Sequence, residues 1–254
     1  MLDIAGLKAK RIIMFDLDGT LAESKSPLDS EMASLLARLL ASKTVAVIGG
    51  GSYAQFQSQF LAHLAFPPNL LSRLFLLPLS GGSMYAYRAG AWERLYEFSF
   101  SDAEKAAIMA AFDRAFRDIG YVHPPVIYGP VIEDRGSQIT FSALGQEAPV
   151  AAKTEWNRTS DIRLALKASL EPLLPDCEVR FGGLTSIDVT KKGIDKAYGI
   201  ERVMELLHAP ITDIAYVGDA LEEGGNDHAA VRTGVMTVDV ADSEETKAII
   251  RSII

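Results

Sequence analysis

Two short segments of the 254-residue chain place carboxylates beside glycines at the end of apolar runs. The run Arg11–Phe15 stops at Asp16-Leu17-Asp18-Gly19-Thr20, and Tyr216-Val217 stops at Gly218-Asp219. A short apolar run meeting a glycine turn reads as a buried parallel strand, and open parallel sheets bind ligands at the carboxyl ends of their strands. Acids gathered there repel one another unless a cation sits among them, and Mg²⁺ takes a few carboxylates with water and phosphate oxygens. Each segment alone reads more readily as a polar turn. Together, at both ends of one α/β unit, they read as a metal-assisted site. An aspartate nucleophile can split a hard group transfer into two easier ones. A second acid two residues on can serve the leaving group from the same loop.

The elements that must position these residues follow from apolar spacing. A helix from about Asp29 carries Met32, Leu35, Leu36, Leu39 and Leu40 on one face. Thr44–Ile48 is a second buried strand, ending at Gly49-Gly50-Gly51-Ser52 before another helix. After Lys191 the pattern returns: a helix over about Asp195–Leu207, then strands at Asp213–Val217 and Val235–Val238. Alternating strands and helices predict a parallel sheet with crossovers. The middle of the chain differs. A helix over Ser101–Ile119 opens on the capping box Ser101-x-x-Glu104, and another covers about Ser160–Leu174. Strands are expected near Val126–Ile132, Gln138–Phe141, Glu178–Phe181 and Ser186–Val189. The expected fold is α/β, a Rossmann-like parallel-sheet core from residues 1–84 and 189–254, with an α+β cap inserted at 85–188.

Hydrophobic residues make up 48% and charged residues 23%, as in ordinary folded domains. The net charge of -8 disfavours a nucleic-acid partner, which needs a basic face, while a phosphorylated metabolite stays within reach of a metal and a few local cations. Cys177 is the single cysteine, so no intrachain disulfide forms, and it reads as a small residue at a strand start. Met1–Arg11 lacks the apolar core of a signal peptide. Leu70–Leu79, broken by Arg73 and Pro78, is too short to span a bilayer. These features predict a cytoplasmic protein without a membrane partner.

Asp16-Leu17-Asp18-Gly19-Thr20 after a hydrophobic strand resembles the signature Asp-x-Asp-x-Thr of the haloacid dehalogenase superfamily. The resemblance implies Mg²⁺-dependent phosphoryl transfer, with Asp16 becoming a phosphoaspartate and Asp18 acting as general acid and base. Gly218–Asp227 looks like the family's loop in which Asp219 binds Mg²⁺ and Asn226 and Asp227 sit beside metal and phosphate. The implied metal set is Asp16, Asp18, Asp219 and Asp227. Lys196, in Gly193-Ile194-Asp195-Lys196, resembles the lysine that neutralises phosphate and nucleophile. Gly50, Gly51 and Ser52 stand at the phosphate-binding turn, where glycines let N–H groups approach an oxygen; a plain tight turn is the alternative reading.

Within the superfamily the chain is similar to eukaryotic-type phosphomannomutases and related type IIB sugar phosphatases, over most of its length. By that resemblance the cap covers the site, Ser186 and Asp188 contact substrate, and a homodimer through the cap is possible. The mutases hold a distant phosphate with a cluster of arginines. Here Arg135 keeps one such position, Tyr128 and Gln146 replace two others, and Lys25 stands where the core has an arginine. Fewer guanidinium forks mean fewer bidentate phosphate contacts. The reading is a phosphatase of a small sugar phosphate, with a phosphohexose mutase as runner-up and a silent phosphoester binder third.

Overall fold

A computed structural model describes residues 3–23, 26–159 and 162–254. The chain divides into two compact units, Met1–Glu97 with Ile194–Ile254, and Phe98–Gly193. In order, the first stretch forms α1 (Ile4–Ala9), β1 (Ile12–Asp16), α2 (Ser30–Leu40), β2 (Thr44–Ile48), α3 (Tyr53–Gln59), α4 (Pro68–Leu71), β3 (Leu74–Leu77), β4 (Ser83–Arg88) and β5 (Ala91–Glu97). The middle forms α5 (Asp102–Asp118), β6 (Ile132–Asp134), β7 (Gln138–Ser142), α6 (Val150–Thr159), α7 (Ile162–Leu170), β8 (Cys177–Phe181) and β9 (Ser186–Lys191). The last stretch forms α8 (Lys196–Leu206), β10 (Ile214–Gly218), α9 (His228–Arg232), β11 (Met236–Asp239) and α10 (Ser243–Ile253).

The first unit is built on one sheet of order β11-β10-β1-β2-β3-β4-β5. Its strands from β11 to β3 are parallel, and β4 and β5 are antiparallel. β1, β3 and β10 are buried along their whole length, as parallel strands covered on both faces must be. One face packs Leu35, Leu36, Leu39 and Leu40 of α2 with Ile249, Ile250 and Ile253 of α10. The other packs Ile200 and Val203 of α8. Asp29 caps α2 through the Met32 N–H at 2.9 Å. β1 lies at the centre with β2 on one side and β10 on the other. Strand order therefore reverses between β1 and β10, and such a switch point opens a crevice at the carboxyl ends.

The second unit carries an antiparallel sheet of order β6-β7-β9-β8. Ile139, Phe141, Ile187, Val189 and Val179 face one side and pack with Phe112 and Ala115 of α5 and Leu166 and Leu170 of α7. The alternate positions, including Gln138, Thr140, Ser186 and Asp188, are polar, as period-two alternation requires.

Three expectations change. The boundary at 84/85 moves beyond Glu97 because β4 and β5 extend the parallel sheet, and the return moves from 188/189 to 193/194 because β9 stays paired through Lys191. The strand read at Val126–Ile132 begins only at Ile132; Pro124, Pro125 and Pro130 lack the N–H a ladder needs. The helix read from Ser160 is α7 followed by a short 3₁₀ turn, Glu171–Leu173, and Ser160 itself lies outside the described residues. Cys177 opens β8, half-buried. Among the described residues no helix is long and apolar enough to cross a membrane.

Candidate active site

Asp16 ends β1 and Asp219 follows β10, so the switch point brings the two acids of the sequence motifs together. Asp227 returns beneath them on the loop after β10. Each of the three carboxylates offers an oxygen within 4.8 Å of the others. Lys196, the first residue of α8, is buried with Asp16 and Asp227 and uses all three of its ammonium hydrogens. It donates to Asp16 Oδ1 at 2.6 Å, Asp227 Oδ1 at 2.5 Å and Asn226 Oδ1 at 3.0 Å. Asp195 caps α8 by accepting from the Tyr198 N–H at 3.2 Å, and its other oxygen accepts from Arg232, which holds the helix start in place.

The loop from Leu17 to Ala22 folds tightly over the strand end, with the Gly19 N–H donating to Ala22 O at 2.7 Å. Gly19 has φ +89°, and a Cβ there would fall 2.2 Å from Asp219 Oδ2. Only glycine allows both the left-handed backbone and the approach of Asp219. Asp18 is held differently from Asp16. Its Oδ1 accepts from Gln59 Nε2, at the end of α3, at 2.8 Å, and it lies outside the three-acid group, so the structure does not gather the expected fourth metal carboxylate.

Burial pushes the Asp16 carboxyl up to about 7; Lys196 pulls it down, but the charges of Asp227 and Asp219 add to the rise. Burial and the Asp227 charge raise Asp219 as well. Lys196 is raised and stays charged: burial works against the ammonium, and Asp16 and Asp227 more than offset it. Three acids facing one lysine leave an excess of negative charge. With oxygen donors alone, that is a donor set suited to a hard divalent cation such as Mg²⁺.

Ser52 caps α3 in a capping box, its N–H donating to Gln55 Oε1 at 2.7 Å and its Oγ accepting from the Gln55 N–H at 3.4 Å. The Ser52 N–H is thus engaged within the helix start. Gly50 is exposed and Gly51 partly so.

In the second unit Arg135 and Gln146 meet. Arg135 Nε and Nη2 both donate to Glu133 Oε2, at 2.8 and 2.6 Å, and Nη2 also reaches Gln146 Oε1 at 3.3 Å. Gln146 Nε2 donates to Thr140 O at 3.3 Å. Thr140 Oγ1 accepts from Gln138 and donates to Asp188 Oδ1 at 2.7 Å. Ser186 sits opposite Ser142 in the ladder, buried. Lys25 lies outside the described residues.

The family model for eukaryotic phosphomannomutase matches residues 32–254. The chain belongs to that family. It is thereby an enzyme of the haloacid dehalogenase superfamily. A phosphomannomutase of Saccharomyces cerevisiae is 28% identical over 229 residues, covering 87% of this chain and 85% of its own. A probable phosphomannomutase of Caenorhabditis elegans is 24% identical over 225 residues, covering 87% and 85%. The fold is shared with an IMP-nucleotidase of Plasmodium falciparum at TM-score 0.75 and 16% identity, over 99% of this chain and 71% of that one. It is also shared with a trehalose-6-phosphate phosphatase related protein at TM-score 0.58 and 17% identity, over 95% and 96%. The family match begins after the Asp16–Thr20 loop, so the place of Asp16 rests on the motif and on the switch-point geometry.

In this phosphomannomutase-family chain, sequence reasoning misses Tyr216, Gln59 and Glu133. Tyr216 is fully buried and donates its hydroxyl hydrogen to Asp227 Oδ1; burial and the Asp227 charge raise its phenol well above the ordinary range. A polar hydroxyl in an otherwise apolar strand, two residues before Gly218, is the signal that could have found it.

Proposed function

We propose that the protein is a Mg²⁺-dependent phosphatase that acts on a small sugar phosphate through an aspartyl-phosphate on Asp16. The observation that carries this reading is the buried Lys196 bound to Asp16 Oδ1 at 2.6 Å beside two further acids. That arrangement holds a carboxylate and a cation in one orientation at the carboxyl end of β1, ready for an incoming phosphoryl group. Asp16 and Asp219 would hold Mg²⁺, with Asp227 beside them. When bound, Mg²⁺ neutralises charge between carboxylate and phosphate, the repulsion that otherwise blocks attack.

The chain's own residues supply the rest. An Asp16 oxygen bonds to phosphorus as the bond from phosphorus to the sugar oxygen breaks, and Asp18 gives its proton to that oxygen. Asp18 then takes a proton from water, whose oxygen attacks phosphorus and releases Asp16 and inorganic phosphate. Gln59 orients Asp18 for both steps.

Hydrolysis over isomerisation is supported by Arg135. Its two closest donors are spent on Glu133, and Gln146 brings an amide rather than a second guanidinium. A bisphosphate intermediate needs a cationic grip at its far end, and a paired arginine offers little. Phosphohexose isomerisation is the second reading, favoured by the family match and by the names of the relatives. A screen of sugar monophosphates for phosphate release, run with and without glucose 1,6-bisphosphate, tests the proposal. Phosphate release that the bisphosphate leaves unchanged supports it. Clean isomerisation without free phosphate would establish the second reading.

A further inference from the structure

Asp227 is the most enclosed acid of the cluster, and its partners come from three elements. Its Oδ1 accepts from Lys196 of α8 and from the Tyr216 hydroxyl of β10. Its Oδ2 accepts from the Ala220 N–H at 3.2 Å, while its own N–H donates to Ala220 O at 3.0 Å. That reciprocal pair ties both ends of the loop that begins immediately after Asp219. A Cβ on Gly218 would fall 2.5 Å from Asp227 Oδ2 and 2.8 Å from the Tyr216 ring, so the glycine makes room for the carboxylate to lie against the strand. A carboxylate has about four acceptor sites, and three are taken by protein donors.

We infer that Tyr216 is a positioning residue: its hydroxyl anchors Asp227, and through Asp227 it sets where Lys196 meets Asp16 and how the Asp219 loop is held. This rests on the phosphoryl-transfer reading for its consequence in turnover, though not for its consequence in Mg²⁺ binding. Tyr216 stands on β10 opposite Met14 of β1, and its neighbours on that sheet face are apolar residues such as Met14, Ile12 and Ile214. A hydroxyl among such residues is costly unless it is bonded, and here Asp227 is its partner. Without that donor, Asp227 Oδ1 keeps Lys196 alone. The carboxylate can then turn, and Lys196 shifts its charge toward Asp16, where it competes with a divalent cation.

Tyr216→Phe removes one oxygen and keeps the ring. By calorimetric titration with Mg²⁺, its dissociation constant should rise about tenfold, the usual cost of losing an outer partner of a metal site. With para-nitrophenyl phosphate, kcat should fall about tenfold and KM stay nearly constant. In an Asp227→Ala background, Tyr216→Phe should add no further loss in either quantity, because the pair acts as a unit. In the unaltered protein, proton NMR should show a slowly exchanging hydroxyl proton assigned to Tyr216, lost in Asp227→Ala. Unchanged Mg²⁺ affinity in Tyr216→Phe would overturn the inference. So would an equal loss in the Asp227→Ala background, which marks a packing role, or a rapidly exchanging Tyr216 hydroxyl. An unaltered protein that binds Mg²⁺ but releases phosphate from no ester would refute the phosphatase reading, and the Mg²⁺ affinities would still decide the role of Tyr216.

Discussion

The charged groups at the ends of β1 and β10 and the Arg135–Glu133 pair of the antiparallel sheet are balanced in opposite ways. In the first, one buried ammonium faces three carboxylates; burial raises Asp16, Lys196 pulls it down, and the charges of Asp227 and Asp219 add to the rise. In the second, the Arg135 guanidinium meets a carboxylate of its own unit, and the neutral amide of Gln146 completes the set. An unbalanced buried cluster is built to receive a cation, whereas a balanced one has little left to offer an anion. The two should therefore respond with opposite signs when an acid is removed.

Asp16→Asn tests the unbalanced side most severely. Turnover should fall at least about 10³-fold, since an amide cannot form the acyl phosphate. Yet the metal-free melting temperature should hold or rise, because one source of buried negative charge is gone. A variant that keeps a substantial share of activity in phosphate-release assays would break the covalent mechanism. Asp219→Ala comes next. Mg²⁺ affinity, read by calorimetry, should drop about 100-fold while circular dichroism stays native, because Asp219 is only half-buried. Full activity in excess chelator would remove the metal from the scheme.

Much of the unbalanced cluster is legible in the amino-acid sequence. Asp16, Asp219 and Lys196 sit at spacings that a strand-turn and a helix start make meaningful, and strand periodicity finds β1, β2 and β10. Asp18 also reads as a ligand; it lies outside the three-acid group, and its Oδ1 accepts from Gln59, whose arrival from α3 no local pattern reveals. Tyr216 and Asp227 meet because a loop returns beneath its own strand, a closure that depends on Gly218. The β4–β5 hairpin is readable in principle. Ala89-Gly90 forms its two-residue turn with both φ positive, at +48° and +89°, the conformation of a tight hairpin. Arg135 reads from the sequence as a phosphate contact; its pairing with Glu133, two residues earlier on the same strand edge, is a local contact that the motif reading passes over.

In the proposed reading proton and metal compete at the same acids, which sharpens the comparison further. Asp16 is raised from 3.8 to about 7 in the folded protein. The folded form therefore holds a proton there that the unfolded chain has already lost. This group's contribution to stability is full below pH 3.8 and is lost as pH rises through about 7. Without metal, melting temperature should decline across neutral pH, and saturating Mg²⁺ should offset the decline. Mg²⁺ affinity should climb up to about tenfold per pH unit until near pH 7, then level off. Affinity that is flat from pH 5 to 8 would show that Asp16 is already ionised without metal, and the cluster less unbalanced than its geometry implies.

The balanced side gives the smallest effect and decides what the second unit recognises. Glu133→Gln leaves the guanidinium of Arg135, whose side chain is only 12% exposed, without its counter-charge. Glu133 itself is 39% exposed, so losing the pair costs only a little stability, and the melting temperature should fall slightly, opposite in sign to Asp16→Asn. The freed arginine should also tighten binding of glucose 1,6-bisphosphate by about tenfold, the lower end for a charge-assisted hydrogen bond. Gln146→Arg should act in the same direction by adding a second fork. Neither change should greatly alter turnover of a monophosphate with a neutral sugar end, since the proposed chemistry lies with Asp16. Phosphorus NMR of mannose 1-phosphate with the bisphosphate present distinguishes the outcomes. The unaltered protein should yield inorganic phosphate, and Glu133→Gln with Gln146→Arg should begin to yield mannose 6-phosphate. If the unaltered protein already interconverts the two esters, the Arg135–Glu133 pair must open when substrate binds, and that pair would be a resting state rather than a specificity device.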